Sequence, residues 1–310
     1  MSISRPEIQK YFFPATNNLH EEIVSLHDFV LPAATALWHF RSVIEQETRE
    51  NPTVSAAELA IKYNQAPGTR MTTNLIVPFR DHDWEAQRER LAEVALVNII
   101  ALYEVWCEEI CDILGRSDLA IKLQFPTNST KTNGICFAIS ELKANKSTII
   151  PDSIQPALRS SKKYSLQSLD SLMRCYRFFK ETRNCLMHKG RTCDGKLWGA
   201  QSDLLPVATP AALGMDFVPE HVITQQSEQV QIRLHGVLGF TDVILRIATT
   251  VDAEVSATRA GEQILAERIA DRTAPIRLER LPNLFTTIGW PSAILTPDLT
   301  EFLKRSGCVV

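Results

Sequence analysis

From Leu91 onward, Leu91, Val94, Ala95, Ile99, Leu102, Trp106, Ile110 and Ile113 return every three or four positions, and the run stops at Gly115. That step marks one face of a long amphipathic helix, with glycine as its C-terminal stop. A stripe of that length must be covered by other elements, and the rest of the chain offers mostly more of the same kind. Leu19, Ile23, Leu26 and Val30 repeat the pattern near the N-terminus, where Pro32 is expected to break or kink the chain before a further stretch to Glu47. Leu169, Leu172, Met173, Tyr176 and Phe179 repeat it in a run starting near Leu166. Ile223, Val230, Leu234, Val237, Leu238, Ile244, Leu245, Ala248 and Val251 repeat it after Pro219. Residues 54–64 and 134–146 are shorter helical candidates. Strand signals are confined to NLIVPF at 74–79, and 191–218 reads as a long connection rich in Gly, Pro and Ala. The expectation is an all-α bundle with one long irregular excursion. A helical segment at 1–82 packs on a bundle at 83–255. The apolar step weakens after about Ser256, and 256–310 is read as an extension packed on the bundle or on a partner.

The net charge of −3 excludes a surface that is basic throughout, so any anion site must be a local concentration of Lys and Arg. No apolar run reaches the roughly 18 residues a bilayer requires, and MSISRPEIQKYFFPATNN has no apolar core of a signal peptide. A cytoplasmic protein without a membrane partner is expected. The seven cysteines are scattered. Cys107 and Cys111 have helical spacing but no matching second pair, so reduced thiols are expected rather than a zinc site. No metal and no cofactor is expected.

Chemistry concentrates in RNCLMHKGR at 183–191. Stepping 100° per residue from Tyr176, Arg183 falls about 20° from the centre of the apolar stripe. Arg177, Asn184 and His188 fall together at roughly 100°, with Lys180 between them and the stripe. A guanidinium on the apolar side is costly unless paired, so Arg183 must meet an acidic side chain, a neighbouring subunit or a phosphate. Glu104, on the 91–114 helix, is a candidate partner. Arg183 and His188 are five apart and diverge by about 140° on a straight helix. A joint site therefore needs a helix break near Glu181–Arg183 or two copies of the chain.

Arg183-Asn184-Cys185-Leu186-Met187-His188 resembles the signature of the HEPN superfamily (higher eukaryotes and prokaryotes nucleotide-binding). In that signature an arginine, usually followed by a polar residue, stands four to six residues before a histidine near the start of a late bundle helix. The run LAEVALVNIIALYEVWCEEICDILG looks like the second bundle helix of that family, and 219–251 resembles its closing helix. The resemblance covers 83–255, and the six-residue motif is its sharp part. It implies a HEPN-like helical bundle with extra N-terminal helices and a C-terminal extension. It also implies a metal-independent endoribonuclease acting as a homodimer, with both copies of the motif lining one cleft. Imidazole titrates near pH ~6.5 and can exchange a proton with a ribose hydroxyl or a leaving oxygen. The planar guanidinium matches phosphate oxygens. On this reading His188 is the general acid/base, Arg183 the phosphate clamp and Asn184 the group that orients either one. Arg177, Lys180, Lys189 and Arg191, with Arg174, supply the local positive field for RNA. The expected partners are RNA (tRNA among the candidates), a second copy of the chain, and an antitoxin or regulatory protein. A toxin or antiphage effector is the implied role. Position 190 is Gly, so the family variant with a tyrosine two residues after the histidine is not supported.

Plainer readings stand beside this one. Arg183 can be a structural arginine satisfied by a facing carboxylate, and His188 a histidine in the last turn, with Lys189 and Gly190 as ordinary helix-end signals. The whole chain can be a non-catalytic HEPN-like bundle that binds RNA or nucleotide or scaffolds a partner, or a helical interaction protein in which the motif is coincidental. His20, Glu21, Glu22 and His27 are expected to be solvated rather than to bind metal. Cys175, Cys185 and Cys193 are expected to be inert, and Trp198 is the one tryptophan placed to border the motif.

Overall fold

In the computed structural model, residues 11–63, 74–127, 133–270 and 276–309 are described, and they form helices with only three isolated β-bridges. The all-α expectation holds. In chain order the helices are α1 (Pro14–Glu50), α2 (Ala56–Tyr63), α3 (Trp84–Ile113), α4 (Gly134–Leu142), α5 (Ile150–Ser153), α6 (Gln155–Arg159) and α7 (Leu169–His188). They continue with α8 (Gly195–Leu204), α9 (Pro210–Leu213), α10 (Leu234–Val255), α11 (Arg259–Ala270), α12 (Leu281–Thr287) and α13 (Pro297–Arg305).

The bundle is built around α10, which packs on α3 and α7 while α1 lies along α3. Aromatic rings join these helices. Tyr103 of α3 meets Tyr176 of α7 with ring centroids 4.7 Å apart, and Phe179 stacks on Phe240 of α10 at 4.4 Å. Such contacts add to the apolar area they bury. Trp106 Nε1 donates to Thr16 Oγ1 at 3.0 Å, which ties α3 to α1. α10 is long and apolar enough to cross a bilayer by composition, but 72% of its apolar window is buried in this core.

The main core draws on residues from Phe12 to Val309. Leu281, Phe285, Trp290, Leu299 and Leu303 bring the C-terminal stretch into it. Phe12 and Trp290 stack at 5.5 Å, so the two ends of the described chain meet. The Asp252 carboxylate accepts the backbone N–H groups of Phe12 at 2.7 Å and Phe13 at 3.0 Å, and Arg268 donates to the Tyr11 and Phe12 carbonyls. Burial nevertheless pushes the Asp252 carboxyl up to about 6. A second, smaller core (Ile44, Leu59, Leu75 and Phe79) holds the far end of α1 to α2 and the 77–81 turn.

Five local expectations need correction. Pro32 neither breaks nor ends α1; it is exposed, so the Asp28 carbonyl that loses its N–H partner lies where water can reach it. Residues 77–81 form a wide helical turn rather than a strand, with His82 N bonded to Val77 O at 2.9 Å, because Leu75 and Phe79 both reach the small core. Within 191–218 lie α8 and α9. Asp194 caps α8 by accepting from Lys196 N and Leu197 N, both at 3.0 Å, and Thr209 caps α9. Finally, the helix expected from Pro219 starts only at Leu234. The Glu220 carbonyl lies 1.9 Å from where a Cβ on Gly236 would stand, so residues near 220 cross the first turn of α10 instead of extending it. Val94 and Ile113, placed on the buried stripe from the sequence, are exposed.

Asp194→Ala is expected to cost about 1 kcal/mol, the usual value of an N-cap. The loss should appear as a lower urea midpoint with unchanged slope.

Candidate functional site

α7 carries the motif in its last two turns and runs without a break to His188. The motif therefore closes its helix rather than opening one. The stop is built from backbone: Lys189 N and Arg191 N both bond to Cys185 O at 3.1 Å, and Gly190 (φ +57°) and Arg191 (φ +66°) both take left-handed conformations. Glycine adopts that region freely and arginine does not. Arg191 is held there by ion pairs to Glu89 (2.7 Å) and Glu93 of α3. Val230 N also donates to its carbonyl at 2.8 Å.

Along α7 the cations meet carboxylates one after another. Arg174 pairs with Asp170 at 2.9 Å. Arg177 pairs with Glu181 and lies over the Phe125 ring at 4.4 Å. Lys180 Nζ reaches Glu104 Oε1 at 2.5 Å and Gln124 Oε1 at 2.6 Å. Arg183, with its side chain 18% exposed, donates from Nη2 to Glu104 Oε2 and from Nη1 to Asn184 Oδ1, each at 3.1 Å. Asn184 Nδ2 in turn donates to Glu181 Oε2 at 3.0 Å. One chain of contacts thus links Lys180, Glu104, Arg183, Asn184, Glu181 and Arg177. The Arg183 Nε atom is buried without a partner.

His188 stands outside this network. It is exposed, and its imidazole makes no hydrogen bond or ion pair with another described residue. Lys189 is exposed beside it. With α7 continuous, Arg183 and His188 diverge by about 140° around the helix, so a single chain does not aim both at one point. The pairing of Arg183 with Glu104 is as the sequence geometry anticipates. Glu181 was overlooked, although it stands four residues after Arg177 and three before Asn184, spacings at which helical side chains meet. Glu89 and Glu93 share a face of α3, but their pairing with Arg191 depends on how the chain after α7 lies on α3 and has no local signal.

Beside the network, α3 presents an uncovered apolar strip. Val94 (53% exposed), Ala101 and Val105 (50%) lie on one side of it, and Met187 (55%) projects from α7. Trp198 is exposed on α8, which packs along α7. The nearby thiols are inert by chemistry: burial pushes Cys185 up to about 11 and Cys175 up to about 12. His20 packs on Tyr11 and His27 contacts Thr241, so both are only half-exposed.

Compared with known proteins, the chain matches no family model, no curated protein and no solved structure.

Proposed function

We propose that this protein is a metal-independent endoribonuclease of HEPN type that acts as a cytoplasmic homodimer, in the role of a toxin or antiphage effector. One observation carries the reading. Arg183, Asn184 and His188 end an unbroken helix, with the arginine half-buried and oriented and the histidine exposed and unengaged, while α3 presents its uncovered apolar strip. A second copy laid on that strip would bring both copies of Arg183 and His188 to one cleft, which the divergence along a single helix prevents.

The chemistry is then simple. The ribose 2′-OH attacks the adjacent phosphorus, and one His188 takes its proton. The P–O5′ bond breaks, and the other His188 protonates the departing 5′-oxygen. Arg183 holds the phosphate oxygens as charge builds on them. The products are a 2′,3′-cyclic phosphate and a 5′-hydroxyl. DNA has no 2′-OH and is not cut. The nucleophile belongs to the substrate, so no step calls on a metal.

A non-catalytic HEPN-like bundle that binds RNA or nucleotide, or scaffolds a partner, is the second reading. Its scaffold form is favoured by the acidic partners of Arg174, Arg177, Lys180 and Arg191, which offset most of the positive charge of the expected RNA face. The two readings separate at the strip. Val105→Glu is expected to yield a monomer that melts like wild type, because the side chain is on the surface, yet no longer cleaves RNA. Sedimentation and a cleavage assay on the same sample check this. A variant that stays dimeric and active would refute the strip as the dimer face.

A further inference from the structure

The Arg183 guanidinium is only half used. Its Nε–H and one Nη2–H form the parallel fork that binds two oxygens of one anion side by side. Here Glu104 meets Nη2 alone, at 3.1 Å, and Nε has no acceptor although it is buried. The reason is on the facing side: Lys180 holds the second oxygen of Glu104 at 2.5 Å. One carboxylate is thus stretched between two cations one helical turn apart, and it leaves a buried donor unmet, which is costly.

We infer that Glu104 occupies the place of a phosphate, so that the Lys180–Arg183 pair is an anion subsite exchanging Glu104 for one phosphodiester of RNA. A tetrahedral phosphate offers more oxygens than a carboxylate and can fill the Nε/Nη2 fork while still reaching Lys180. Asn184, bonded to Nη1, keeps the guanidinium turned toward that position. Glu104 comes from α3 and its side chain is partly exposed, so it can swing toward solvent without disturbing the core. The inference rests on the ribonuclease reading and adds to it the group that RNA must displace. Glu104 is on this account a positioning residue that weakens substrate binding and keeps the isolated site closed to stray anions.

The test uses a fluorescent 2′-O-methyl RNA oligonucleotide, which binds but cannot be cleaved through its 2′-oxygen. It is titrated into wild type, Glu104→Gln and Glu104→Asp, with thermal melts as the folding control. Glu104→Gln should bind about tenfold more tightly. Its salt dependence should steepen by about 0.7 in log–log slope, the value of one added phosphate contact to a single strand. Glu104→Asp, one methylene too short to span both cations, should move the same way by less. On cleavable RNA, KM should fall with kcat little changed. Equal or weaker binding by folded Glu104 variants, with cleavage by wild type intact, overturns this inference and spares the ribonuclease reading. No binding and no cleavage by any of the proteins overturns both.

Discussion

His188→Ala is expected to lower RNA cleavage by about 100- to 10,000-fold, the range that one general acid/base contributes, while leaving the melting curve unchanged. The second half of that expectation comes from position: the imidazole is exposed at the end of α7 and holds nothing together. Arg183→Ala should also cost roughly 100- to 1,000-fold, as the loss of one donor to a developing charge does. It should carry a stability penalty as well, because Arg183 bridges Glu104 and Asn184 across the α3–α7 contact. Arg183→Lys keeps the charge but not the fork, so it should recover stability more than rate. Single-turnover cleavage rates with parallel thermal melts separate the two effects.

The largest loss of stability is expected at the other end of the bundle, from Glu254→Ala. This carboxylate, 4% exposed, accepts from Lys143 at 2.6 Å, from Arg159 at 2.6 Å and from the Tyr164 hydroxyl at 2.8 Å. It joins α10 to the end of α6 and to the segments following α4 and α6. Removing it strands two cations and a phenol. The cost of breaking a buried pair is several kcal/mol, but both cations reach water, so about 3 kcal/mol is expected. At about 2–4 °C per kcal/mol for a chain of this size, the melting point should drop by roughly 6–12 °C. Burial alone would raise this carboxyl, but the bonds from Lys143, Tyr164 and Arg159 outweigh it and hold the group below the ordinary carboxylate range. A lowered value means the stabilisation is present above the unfolded-state pKa and is lost as pH falls through the folded one. Wild type should therefore lose more stability than Glu254→Ala between neutral pH and the acid range, which urea titrations at several pH values would show.

The parts of the fold legible in the sequence are those where one period governs a whole element. α3 runs from its Asp83 cap to the stop at Gly115, and α7 follows its stripe from Leu169, because each buries a single continuous face. α8 was missed because its buried face is Leu197, Gln201 and Leu204, and the polar Gln201 interrupts the apolar period that would have marked a helix. The late start of α10 depends on the Glu220 carbonyl lying against Gly236, a contact between distant turns of the chain that no local pattern records. The same holds for Trp290 on Phe12. At the site, Arg183 and its need for Glu104 were legible because a guanidinium on an apolar face demands an anion. The balancing of Lys180 and Arg191 was not, since it depends on α3 lying against them, whereas the pairing of Arg177 with Glu181, one turn on in the same helix, was open to reading from the spacing alone.

The most direct test incubates the purified protein with total RNA and tRNA in EDTA and identifies the ends of any fragments. The account predicts cleavage that leaves 2′,3′-cyclic phosphate and 5′-hydroxyl ends, with a matching DNA strand left whole. Intact RNA from a folded dimer, or cleavage that stops when EDTA is added, would contradict it.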